Sequence, residues 1–164
     1  MKKNKLVLEQ VVSTDFLLIG INASTEMYQL AYYINKKVNI NFKRAERDID
    51  FYYANAIALY QWYEYYSKDL QSKVYFVANK SYSKETNMNS TGNLFAENNK
   101  EELKLRYLIP EFKNVDYFIK VEETTLDQIN YKSLLFQLNT IKQISTAYQI
   151  DIQKLKTPEN LIFY

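Results

Sequence analysis

Apolar positions along this chain recur with two periods, and the change from one to the other marks out its elements. The segments "KLVLEQVV" and "DFLLIGI" come first, parted by Ser13 and Thr14. In the second, Phe16 to Ile19 are apolar without alternation, as expected of a strand covered on both faces. A helix is predicted after Asn22, with Ser24 as its cap and Glu26 near the positive end of its dipole. Met27, Leu30, Ala31, Ile34 and Val38 then fall on one helical stripe, which must face a core.

The next segment, "INFKRAERDIDF", is ambiguous. Ile40 and Phe42 suit a short strand, and Lys43 to Asp48 suit a solvated charge run. "IALYQWYEYY" and "VYFVANKSY" alternate as strands and are joined by the polar "SKDLQSK", which predicts a hairpin. Residues 83–102, including "SKETNMNSTGN", read as a polar loop or disordered insertion with a possible anchor at Leu94 and Phe95. "LRYLI" is a strand that must stop or lie at an edge at Pro110, since proline lacks a ladder donor and forces Ile109 toward extended geometry. Pro110 then suits the first position of a single helical turn, with Glu111 near its positive end.

After that turn, Val115, Tyr117, Ile119 and Val121 alternate against Asp116, Phe118, Lys120 and Glu122, which predicts another strand. A second helix is expected from Asp127, with Tyr131, Leu134, Leu135, Leu138 and Ile141 on its apolar stripe. "ISTAYQIDI" fits a strand slightly better than a continuing helix, with Ile144, Thr146, Tyr148 and Ile150 alternating. The order is β-β-α-β-β-β-loop-β-α-β, an α+β fold with a mostly antiparallel sheet and two main helices on one face. The β-α-β segments near 15–42 and 115–151 also permit two ferredoxin-like halves. All 164 residues are expected to form a single domain.

Composition narrows the chemistry. The chain has no cysteine and no histidine, which removes thiol nucleophiles, Ser-His-Asp triads and zinc sites built on thiolate or imidazole. It has 2 glycines, and neither GxGxxG nor GxxxxGK[ST] occurs, so phosphate-cradling loops are not expected. No cofactor is predicted. A formal charge of +2, with the signs interspersed, makes nucleic acid an unfavoured partner. The basic start "MKKNK" leads into an apolar stretch broken at Glu9 and Gln10, and no run is long enough to span a bilayer. A cytoplasmic protein is expected.

Glu111 and Asp116 are the one carboxylate pair suited to acid–base work. Glycosidase chemistry would need them about 5 Å apart, or roughly 6.5–9.5 Å for inversion, across a cleft. Carboxylates beside a turn more often bond its free main-chain amides. Lys80, Arg106 and Lys120 are candidate partners for the two acids.

"IPEFKNVDY", residues 109–117, resembles the signature of the IPExxxVDY family of Bacteroidetes proteins, with Ile109, Pro110, Glu111, Val115, Asp116 and Tyr117 at its fixed positions. "LIGI" before "EMYQLAYYIN", and the later "STAYQID", are similar to that family too. The resemblance implies a small cytoplasmic protein and implies no activity.

The favoured function is a non-enzymatic binding or scaffold module, meeting a protein partner or a second copy through edge strands. By fold analogy alone, a variant would hold a small ligand between ferredoxin-like halves, as in ACT-like regulatory domains. The alternatives are a carboxylate-dependent enzyme, with Glu111 and Asp116 joined by Glu26 or Tyr117, and weak RNA binding through Lys43, Arg44, Arg47, Tyr52 and Tyr53.

Overall fold

The structure is a computed structural model and describes residues 16–54, 56–68, 71–85, 102–122 and 130–163. The expected strand at 5–12, the anchor at Leu94 and Phe95, and the helix start at Asp127 lie outside these residues.

The elements are β1 (Phe16–Ala23), α1 (Met27–Val38), β2 (Lys43–Arg44), β3 (Ile49–Tyr53), β4 (Ala56–Tyr60), β5 (Trp62–Ser67), β6 (Ser72–Ala78), β7 (Lys80–Glu85), β8 (Glu102–Tyr107), β9 (Tyr117–Glu122), α2 (Tyr131–Asn139) and β10 (Ile144–Gln149). Six strands form one sheet in the order β10-β1-β9-β6-β5-β2, with every neighbouring pair antiparallel. The strands with the least alternation, β1, β9 and β6, sit side by side in its middle, because only there are both faces covered. The fold is α+β, as the sequence pattern predicts.

One face of the sheet carries Leu17, Ile19, Ile21, Phe76, Ile119 and Val121, which pack against the apolar stripes of both helices. The other carries Leu18, Tyr75, Val77 and Phe118, which pack against the β3–β4 hairpin, Leu108, Ile109, Val115 and Leu161. Full burial of each such side chain contributes roughly 1.5–3 kcal/mol. The sheet is thus the middle of three layers.

Several expectations are corrected. The run "IALYQWYEYY" is not one strand. It breaks at Gln61, so that β4 pairs with β3 while β5 makes the predicted hairpin with β6. The ambiguous segment supplies the two-residue β2 and then β3. Within the expected insertion, Ser83 to Glu85 belong to β7, which pairs with β8. α1 begins one residue after Glu26, which takes the cap position that Ser24 was expected to hold and makes no side-chain cap bond. At its other end Asn39 adopts the left-handed conformation, φ 58°, that closes many helices.

β10 is a strand, but its alternation is interrupted. Asn22 pairs with Thr146 and Ala23 with Ile144, so Ser145 bulges out, and Ile144 and Ala147 come to face the helices together. Val115 does not share a face with Tyr117, Ile119 and Val121. It precedes β9 and packs in the opposite core, over Gly20, where an added Cβ would lie 3.2 Å from its methyl. Nor are there two ferredoxin-like halves. β9-α2-β10 is a split β-α-β unit with β1 between its strands, whereas β1 and β2 are separated by three strands. Among the described residues, no helix is long and apolar enough to cross a membrane.

Candidate functional site

Residues 109–117 turn the chain from the β7–β8 ribbon back into the central sheet. Pro110 starts the 3-10 turn Pro110–Phe112 with Ile109 extended before it, as proline's missing donor and fixed φ require. Val115 N closes the next turn onto Phe112 O at 3.0 Å, and Asp116 N joins β1 through Ile21 O at 3.0 Å. Ile109 and Val115 are buried, and they anchor the corner from both ends.

The side chain at its centre is one the sequence pattern passes over. Asn79, between β6 and β7, is fully buried. Its Oδ1 accepts from Ile109 N at 2.9 Å, and its Nδ2 donates to Phe112 O and Val115 O, each at 2.9 Å. Its main chain adds a bond to Asp116 O at 2.9 Å and one from Leu108 N at 2.8 Å. A single amide group thus satisfies main-chain groups that burial would otherwise leave unpaired. The available hint is an amide that directly ends the apolar run "VYFVA".

The two acids serve different places. Asp116 accepts from Ala23 N at 2.9 Å through Oδ2 and pairs with Lys80 Nζ at 2.6 Å through Oδ1. Glu111 reaches the C-terminal segment, accepting from Lys156 N at 2.5 Å and Thr157 N at 3.3 Å. A depression of about 430 Å³ is lined by Pro110, Glu111, Phe112, Lys113, Asn114, Val115 and Tyr148, and Asp116 is not among them. The acids therefore do not face each other across a cleft, as paired acid–base chemistry needs.

Tyr117 donates to Thr25 O at 2.7 Å, closing the loop before α1. Its hydroxyl is pushed up to about 12, by burial first and then by the charges of Glu26 and Asp116. Glu26 is thus near the site, exposed at the cap of α1. Of the three basic candidates only Lys80 meets a signature acid. Arg106 pairs with Glu85 and lies 4.2 Å over the Tyr53 ring.

Lys120 pairs with Glu122 at 2.9 Å and is only 6% exposed. Its ammonium donates to Leu161 O at 2.8 Å and lies within 5.6 Å of the Phe16, Tyr75 and Phe163 ring centroids. Phe163 in turn stacks on Trp62 at 5.6 Å. Glu111 and Lys120 together hold the C-terminal segment across the second face of the sheet, with Asn160 bonding Leu108 O at 2.8 Å between them.

Two more asparagines repeat the Asn79 device. Asn35 takes both Phe42 N and Phe42 O, at 2.8 and 3.1 Å. Asn139 takes both Ala147 N and Ala147 O, each at 2.9 Å, and so covers the outer edge of β10.

The residues put forward for RNA do not form one surface. Arg44 pairs with Asp48 and bonds Trp62 O, Tyr53 lies under Arg106, and Tyr52 is on the outward side of β3. No family model, no curated protein and no solved structure matches this chain.

Proposed function

We propose that this chain is an IPExxxVDY family protein of the cytoplasm that works as a non-enzymatic binding module, with the signature acting as a structural clasp. One observation carries this. Both signature carboxylates are spent on main-chain amides, at Ala23 and at Lys156 and Thr157, and they serve separate parts of the fold. A carboxylate that already accepts from backbone donors is poorly placed to take a proton from a substrate.

The binding surface is a sheet face rather than a strand edge. Asn139 covers the β10 edge, and β2, at the other end of the sheet, is two charged residues long; both are ways of blunting an edge. By contrast, Tyr52, at 75% exposure, pairs across the β3–β4 hairpin with exposed Ile57, and exposed Leu59 lies further along β4. Three large apolar side chains together on one small hairpin form the kind of patch that marks contact with a protein.

The test is light scattering with crosslinking, on the purified chain alone and in lysate, beside a Tyr52→Ser/Ile57→Ser/Leu59→Ser variant. A dimer or a discrete complex that the variant loses supports the module. A monomer that crosslinks to nothing, or a complex indifferent to the variant, refutes it.

A further inference from the structure

The net charge of +2 hides an uneven distribution of pairing. Around the signature and the β7–β8 ribbon most cations are matched: Lys80 with Asp116, Lys104 and Arg106 with Glu85, and Lys120 with Glu122, while Lys113 lies over the Tyr107 ring. At the opposite end of the sheet they are not. There, a depression of about 500 Å³ is lined by Asn41, Lys43, Glu64, Tyr65, Tyr66, Lys68 and Lys73. Among the described residues, none of its three lysines has an ion-pair partner.

The sheet register builds this surface. Lys43 stands opposite Glu64, and Tyr66 stands opposite Lys73, so the four share one face of β2, β5 and β6. Lys68 follows in the turn. Tyr65 points the other way into the helical core against Phe42, which leaves Tyr66, at 56% exposure, as the accessible ring. Among the described residues Glu64 is the one carboxylate in the lining, set against three lysines.

The volume suits a small ligand or a short stretch of polymer. Positive charge alone would fit any polyanion, an acidic peptide included. An exposed aromatic ring set among lysines adds a π face on which a planar base can stack beside its own phosphate. Duplexes hide their base faces; single strands do not.

We infer that this depression is a binding site for single-stranded nucleic acid, with phosphates held by Lys43, Lys68 and Lys73 and a base stacked on Tyr66. It differs from the RNA surface read in the sequence, sharing only Lys43 with it. It is also independent of the signature.

The experiment is fluorescence anisotropy of a short labelled oligouridylate with the full chain across a salt series, with inorganic polyphosphate measured as competitor. Three phosphate contacts give a slope of log affinity against log salt of about −2. Lys43→Ala/Lys68→Ala/Lys73→Ala is expected to lose about tenfold or more and to flatten the slope. Tyr66→Ala is expected to lose about fivefold or more for the oligonucleotide at unchanged slope, and nothing for polyphosphate. Arg47→Ala, outside the depression, is expected to bind as the parent does. All five positions are exposed, and circular dichroism confirms that the variants are folded. Absence of binding, a triple variant that binds normally, or a Tyr66→Ala variant that binds the oligonucleotide normally each overturns the proposal.

Discussion

Asn79→Ala removes the amide that ties the signature corner together. Three hydrogen bonds go, but the loss is uneven. Phe112 O keeps its bond from Val115 N, whereas Ile109 N and Val115 O lose their Asn79 partner. Each buried group left unpaired costs about 1–3 kcal/mol, so the expected destabilisation for the two is about 2–6 kcal/mol. For a domain of ordinary stability that is a large share of the total, and it lowers Tm by roughly 10 °C. Urea melts followed by circular dichroism and by the single tryptophan, Trp62, measure it. Asn79→Asp is the sharper comparison. It keeps the shape and the acceptor toward Ile109 N but turns an oxygen toward two carbonyls. It is expected to be at least as unstable as the alanine variant at neutral pH, and to recover partly in acid once the carboxyl can donate. If Asn79→Ala stays within about 1 kcal/mol of the parent, less than even one orphaned group should cost, then the amide does not anchor the corner.

Glu111→Ala should free the C-terminal segment at Lys156 and Thr157, costing about 1–2 kcal/mol and changing the Trp62 emission as Phe163 unstacks; Glu111→Gln, which keeps an acceptor, should fall between. Lys120→Met should cost about 1–3 kcal/mol, less than breaking a fully buried pair, because Glu122 remains partly hydrated; the same Trp62 signal reports it. Gly20→Ala should cost about 1–3 kcal/mol by thermal melting, since its Cβ would meet Ile150 at 2.9 Å and Val115 at 3.2 Å. The phenol of Tyr117 is raised to about 12 from an unfolded value near 10, and burial also raises Tyr60 and Tyr75. The folded state therefore holds protons that the unfolded chain releases, so stability should be full below pH 10 and fall between pH 10 and 12. Ultraviolet titration should find these phenols ionising late and together with unfolding; early, independent ionisation would contradict their burial.

Local pattern carried much of the architecture. The stripe of Met27, Leu30, Ala31 and Ile34 is the buried face of α1, and the unbroken Phe16 to Ile19 is a doubly covered strand. Pro110 stops an extended segment and opens a turn. The β5–β6 hairpin follows from two alternating runs and a polar join. Where local pattern failed, a neighbour decided. Gln61 divides an alternating run because its two halves find different partner strands. The bulge at Ser145 shifts which residues of β10 face the helices, and alternation alone cannot reveal a slip of that kind.

The amino-acid order by itself determined the periodicities, the corner at Pro110 and the absence of thiol and imidazole chemistry, because each depends on residues within a few positions of one another or on residue type alone. Only the tertiary structure decided what the polar groups do. Asp116 finds Ala23 across 93 residues, Glu111 finds Lys156 across 45, and Asn79 meets Ile109 across 30. A hydrogen bond between such distant positions needs two groups of the right kind and a fold that brings them within about 3 Å. The first condition is visible in the sequence as a residue type, and the second exists only once the sheet has formed.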